Sequence, residues 1–114
     1  MDAQSKKELL AKYKEREQIG GVFLIRNTIT NKILLNSTYD MQGSKNSFEF
    51  SLKTGSSPSM KLQKDYREYG ASAFLFEILE ELKKGENQTL EEFQSDVNLL
   101  KEIWVEKLAD KELY

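Results

Sequence analysis

The apolar positions of this chain cluster around one stretch, GGVFLIRNTITNKILLNST at residues 20–38. Two apolar runs, Val22-Phe23-Leu24-Ile25 and Ile33-Leu34-Leu35, flank the polar segment 27–32. This pattern predicts a β-hairpin, with strands over about 21–27 and 32–38 and a loop longer than two residues. The first run does not alternate, so its strand should be covered on both faces, and helices elsewhere must supply the cover.

Upstream, Ser5 and Glu8 have capping-box spacing. A short helix is expected over 5–17, with Leu9, Leu10 and Tyr13 packed on the sheet and Gly20-Gly21 ending it. Its lysines make nucleic-acid contact the other reading. Downstream, Gly43 should break any helix begun at Asp40. Phe48, Phe50 and Leu52 alternate as in a short strand. Ser57, Pro58 and Gly70 read as the cap, first residue and stop of a helix whose Met60, Leu62, Tyr66 and Tyr69 reach the interior. Residues 74–79, FLFEIL, form a third strand. Thr89 and Glu92 make a second capping box. Behind it Leu90, Phe93, Val97, Leu100, Trp104 and Leu108 recur every three or four residues, and Leu99 and Ile103 widen the stripe. This predicts a long, deeply packed last helix that buries Leu100 and Trp104.

Composition narrows the chemistry. The 114 residues contain no cysteine and no histidine. That excludes a disulfide framework, a zinc–thiolate site, a cysteine nucleophile and an imidazole base. Any metal would need oxygen ligands. No apolar run reaches the roughly 20 residues of a membrane span, and the first residues lack a signal-peptide core, so a cytoplasmic protein with no membrane partner is expected. The net charge of −2 divides unevenly. Lys and Arg outnumber Asp and Glu seven to five over 1–40 and five to three over 41–70, and are outnumbered eleven to five over 71–114. A basic front suits a nucleic-acid face or an ordinary solvated surface.

Several stretches in order resemble the GIY-YIG nuclease family. GVFLIRN at 21–27 is similar to its first motif and KILLNST at 32–38 to its second. KLQKDY at 61–66 followed by Tyr69-Gly70 looks like its central helix, FLFEILEEL at 74–82 like its third strand, and 99–108 with Trp104 like the helix carrying its metal-binding glutamate. The resemblance implies an α+β fold, a small three-stranded antiparallel sheet flanked by helices. Residues 20–114 would form this domain and 1–19 a helical extension within one globular unit.

In that family two tyrosines, an arginine and a glutamate, with one divalent metal and water, hydrolyse a phosphodiester, and a histidine usually follows the arginine. Carried over by motif, the tyrosine positions fall on Phe23 and Leu34, the motif glycine on Asn36, the arginine on Ser44, the histidine on Phe48 and the glutamate on Lys101. Each loss of an acid–base group or charge clamp removes about 10²–10⁴-fold of rate, so no catalytic residue is expected. The resemblance then implies a binding module, foremost for DNA or RNA, weak and non-specific, through Lys45, Lys53, Lys61, Lys64 and Arg67. No cofactor is expected. One alternative is an active nuclease with a rearranged site, which would require Mg²⁺ or Mn²⁺ and a carboxylate from Glu49, Glu77 or Glu102. The other is a protein-interaction module using the acidic last helix.

Overall fold

The computed structural model describes residues 17–114. The helix expected over 5–17, and the 1–19 extension with it, fall almost wholly outside the described residues. Strand β1 spans Ile19–Asn27 and β2 spans Ile33–Thr38, paired antiparallel from Arg26↔Ile33 to Gly21↔Thr38. Asn27 organises the turn. Its side-chain carbonyl accepts from the Ile29 and Thr30 amides, and Asn31 takes a left-handed conformation (φ 65°) that asparagine tolerates. Strand β3, Phe74–Lys83, adds antiparallel to the other side of β1, giving the order β2-β1-β3.

β3 is longer than the expected 74–79, and both glycines of the expected helix stop lie inside β1. Val22 pairs with Glu80 and Phe23 with Ile78, so Leu79 is an extra residue in a β-bulge. Beyond the bulge, Gly21 adopts φ 144°, and a Cβ there would fall 2.0 Å from the Glu80 carbonyl oxygen. Only glycine lets the strands close past the bulge. The charged Glu80 and Glu81 look like a turn in sequence; here they lie on an edge strand, where charge deters further pairing.

Helix α1, Met41–Thr54, overturns two expectations. Gly43 does not break it. The Asp40 carboxylate caps the helix by accepting from the Gly43 amide, and a Cβ on Gly43 would fall 2.3 Å from that carboxylate. The 48/50/52 alternation is not a strand: Phe48 is buried, while Phe50 and Leu52 face out. Next comes a 3₁₀ turn, Met60–Leu62, leading into helix α2, Gln63–Tyr69. Ser59, not Ser57, caps the turn, so Pro58 lies before the cap instead of at the first helical position. Met60 is 89% exposed and not interior, because the tight turn aims Leu62 and then Tyr66 at the core instead. Gly70 ends α2 as expected, with φ 84°.

Helix α3, Leu90–Lys107, is the longest and carries the expected capping box. Hydrogen bonds from the Thr89 backbone and hydroxyl hold the Glu92 carboxyl below its ordinary range. Its packing is shallower than the periodicity implies. Phe93 and Val97 are fully buried, Leu100 and Trp104 are half-buried, and Leu99 and Ile103 are exposed. The helix packs mainly on β1 and β2, and the flank bearing Leu99 and Ile103 is left exposed. The Trp104 indole N–H donates to Glu80 Oε1 at 3.0 Å.

The sheet is therefore covered on both sides, as the non-alternating run requires. Phe23, Ile25, Leu34 and Phe74 join Met41, Phe48, Leu62 and Tyr66 in a core under α1 and α2. The intervening residues Val22, Leu24 and Leu35 point to the side of α3. After α3 the chain turns back to β2, with Ile33 donating to the Glu112 carbonyl and accepting from the Tyr114 amide. The Tyr114 hydroxyl donates to Asp65 Oδ2 at 2.6 Å and accepts from Asn27 Nδ2 at 3.0 Å. Burial and the neighbouring Asp65 push the Tyr114 phenol up to about 12. No helix among the described residues is long and apolar enough to cross a membrane.

Candidate functional site

Five of the six positions singled out in the sequence come together. A cleft of about 170 Å³ opens between the sheet and α1, lined by Phe23 from β1, Leu34 and Asn36 from β2, and Ser44 and Phe48 from α1, with Ile25, Ser47, Pro58 and Ser59 completing it. Strand pairing sets the floor, since Phe23 lies opposite Asn36 and Ile25 opposite Leu34. Phe23 stacks on Phe76 with centroids 4.7 Å apart, and Phe48 tilts against the same ring at 5.6 Å. The rim is polar but uncharged. Ser44 donates to Thr38 Oγ1 at 2.7 Å, and Asn36 accepts from the Ser37 amide through its side-chain oxygen. Among the described residues, no ionisable side chain lines the cleft, so none of its lining residues can exchange a proton near neutral pH.

Lys101 does not join them. It lies on α3, one turn past Asn98, whose side chain accepts from the Tyr39 hydroxyl beyond the end of β2. The carboxylates considered for a rearranged site are also elsewhere. Glu77 pairs with Leu24 on the α3 side of the sheet, where its carboxylate meets Arg26 Nε at 2.8 Å. Glu49 and Glu102 are exposed on α1 and α3 and do not line the cleft. Among the described residues, no three His, Cys, Asp or Glu side chains are placed to share a metal ion. The residues of the cleft do not fit a divalent metal, which needs anionic oxygen ligands.

None of the five candidate cations lines this cleft; they lie on the segments that follow and flank it. Lys45 and Lys53 lie on α1, Lys61 in the 3₁₀ turn, and Lys64 and Arg67 on α2. All five are exposed. None forms an ion pair among the described residues, whereas Arg26, Lys32, Lys83 and Lys111 do. Arg67 also borders a polar pocket of about 310 Å³ beside the cleft, lined by Gly55, Ser56, Ser57, Ser59, Met60, Gln63 and Tyr66. The Tyr66 hydroxyl is tied to Ser51 Oγ at 3.0 Å, and burial raises its pKa above the ordinary phenol value. Nothing in the periodicity or the motifs pointed to this pocket. The density of hydroxyls after Gly55 was the available signal.

Comparison with known proteins gives the fold. The catalytic domain of the homing endonuclease I-TevI superposes with a TM-score of 0.57 at 24% sequence identity, covering 79% of this chain and 88% of that domain. A point mutant of the catalytic domain of the intron endonuclease I-TevI superposes with a TM-score of 0.56 at 26% identity, covering 80% and 84%. No family model matches the sequence, and no curated protein sequence matches it. The chain thus has a GIY-YIG-like fold, a three-stranded antiparallel sheet with flanking helices, reached at low sequence identity.

Proposed function

We propose that this chain is a GIY-YIG-like domain that binds nucleic acid weakly and without sequence preference, and does not cleave it. One observation carries the reading: the cleft where that fold resembles a nuclease is lined by uncharged residues, while five exposed cations with no ion pair among the described residues stand on α1, α2 and the turn between them. Phe23 and Leu34 can neither take nor give a proton, and Ser44 cannot clamp a phosphate with charge. Affinity must then come from counterion release at the lysines and Arg67. No cofactor is needed, and a cytoplasmic location goes with the reading.

The test is direct. The protein is mixed with labelled single- and double-stranded DNA and RNA, with and without Mg²⁺ or Mn²⁺. Binding is expected to be micromolar at best near physiological salt. Three to five neutralised phosphates give a log–log salt slope of roughly −3 to −4.5 on duplex DNA. Reversing the charge of Lys61, Lys64 and Arg67 together should abolish it, and no cleavage should exceed that of a Phe23→Ala control. Metal-dependent cleavage lost in Glu77→Gln or Glu102→Gln would replace this reading with a rearranged nuclease. A second reading has its own support. On α3, exposed Leu99 and Ile103 sit among five carboxylates, a surface suited to a protein partner, and absence of binding even at low salt would favour it.

A further inference from the structure

The pocket beside the cleft is lined by several side chains able to donate hydrogen bonds. Arg67 contributes a guanidinium with no carboxylate partner among the described residues, and Gln63 contributes an amide. Ser59 Oγ accepts from the Lys61 amide at 3.3 Å, so its own hydrogen remains to be donated outward. Ser56 adds another hydroxyl. Ser57 plays a different part: its hydroxyl donates to the Ser59 carbonyl, folding the loop so that Ser56 and Ser59 face the same space. Among the described residues, no Asp or Glu lines the pocket. Its volume of about 310 Å³ is several times the roughly 30 Å³ share of one water, enough for a hydrated oxyanion. A planar guanidinium fork with neutral donors around it matches a phosphate's oxygens.

We propose that this pocket is the phosphate seat of the domain, taking one backbone phosphate of a nucleic-acid strand between Arg67, Ser59 and Gln63. The inference rests on the nucleic-acid reading above and deepens it. Ser59 lines both the pocket and the cleft. A phosphate seated at Arg67 therefore lays the neighbouring nucleotide across the uncharged floor of Phe23, Leu34 and Phe48. The strand is gripped beside the cleft and meets no acid or base inside it. Met60, almost wholly exposed at the pocket mouth, offers a soft apolar rim to the adjoining sugar or base.

The experiment is an amide-resolved NMR titration of the full chain, first with inorganic phosphate and then with an oligothymidylate of about ten nucleotides, at about 10 mM salt. Both probes are expected to shift the amides of residues 55–57, 59–63 and 67. Arg67→Gln should erase the phosphate shifts and weaken the oligonucleotide by about tenfold, and Arg67→Lys, which keeps charge but loses the fork, should recover only part. Ser59→Ala and Gln63→Ala, which change no charge, should each weaken it by a few-fold. Lys64→Gln removes the same charge outside the pocket and is the control. If Arg67→Gln and Lys64→Gln weaken the oligonucleotide equally and phosphate shifts nothing in the pocket, the seat is overturned and diffuse nucleic-acid binding survives. If phosphate shifts the pocket but the oligonucleotide does not bind, the nucleic-acid reading fails and takes with it the strand assigned here. Melting curves of each variant matching the parent exclude misfolding as the cause.

Discussion

The two faces of the central sheet are built from the same three strands yet differ in kind. The face under α1 and α2 has a ring-lined floor of Phe23, Phe48 and Phe76 and an open cleft. Its covering segment 41–69 carries five cations against three carboxylates. The face under α3 is packed over β1 and β2 by Phe93 and Val97, and its helix carries five carboxylates against two lysines. One side has a cleft and is basic; the other is packed over two of its three strands and is acidic. Side chains alternate along a strand, so neighbouring residues answer to different demands. Phe23 borders a space, and Val22 and Leu24 beside it only pack. The charge division means a polyanion would approach from the α1 and α2 side, with α3 turned away.

The largest expected effect tests the packing under α3. Phe93→Ala should cost about 3–5 kcal/mol in urea unfolding, because a fully buried ring leaves a cavity with nothing to fill it. Phe48→Ala should fall at or below the lower end of that range, since its ring borders a cleft that solvent can enter. Equal costs would show that the cleft face is as closed as the other. Ile103→Ala on the exposed flank of α3 should change stability by no more than about 0.5 kcal/mol.

Next in size, Gly21→Ala should destabilise by about 2–3 kcal/mol. The new methyl meets the Glu80 carbonyl, and the backbone is held at positive φ. Gly55, also at positive φ but with open space around it, should cost about 1 kcal/mol when changed to Ala. Should the two variants melt together, the bulge in β3 does not constrain β1.

Smaller again is the tie at Tyr114. Tyr114→Phe should cost about 1–2 kcal/mol through the lost bonds to Asp65 and Asn27. Its pH signature is specific. The folded phenol is raised to about 12 from an unfolded value of 10.0, so its contribution is complete below pH 10 and is lost as the pH rises toward 12. Alkaline melts of the parent should fall through that window relative to the Phe variant. Parallel curves would mean that Asp65 does not face the hydroxyl in solution. At the bottom of the scale, millimolar Mg²⁺ or Mn²⁺ should leave the melting temperature unmoved.

What the sequence revealed and what it hid follow from the range of the forces involved. The hairpin, the stop at Gly70 and the Thr89–Glu92 box are set by residues within a few positions of each other, and local pattern was enough to read them. Gly43 misled because its reason is a cap carboxylate three residues earlier, which occupies the place of its missing side chain. Gly21 misled because the residue that needs it, Glu80, is remote in sequence. The stripe on α3 overstated burial because periodicity reports which flank is apolar and says nothing of how wide the opposing surface is; β1 and β2 cover Phe93 and Val97 and leave Leu99 bare. The cleft positions were legible through the motif resemblance. The pocket at Arg67 was not, since loop 55–59 and α2 meet only in three dimensions.

The contact among Asn27, Asp65 and Tyr114 also bears on the order in which the fold forms. The hairpin can pair as soon as residues 19–38 are free, whereas β3 must reach β1 across a loop whose closest pairing joins Asn27 to Phe74. The Asn27–Tyr114 bond spans 87 positions. On a ribosome the hairpin would therefore emerge with β1 lacking one neighbour and β2 lacking the tail that engages Ile33. The β1 edge stays open until β3 has emerged and the β2 edge until residues 112–114 have, and those intervals are when the nascent chain is most exposed to pairing with another copy of itself.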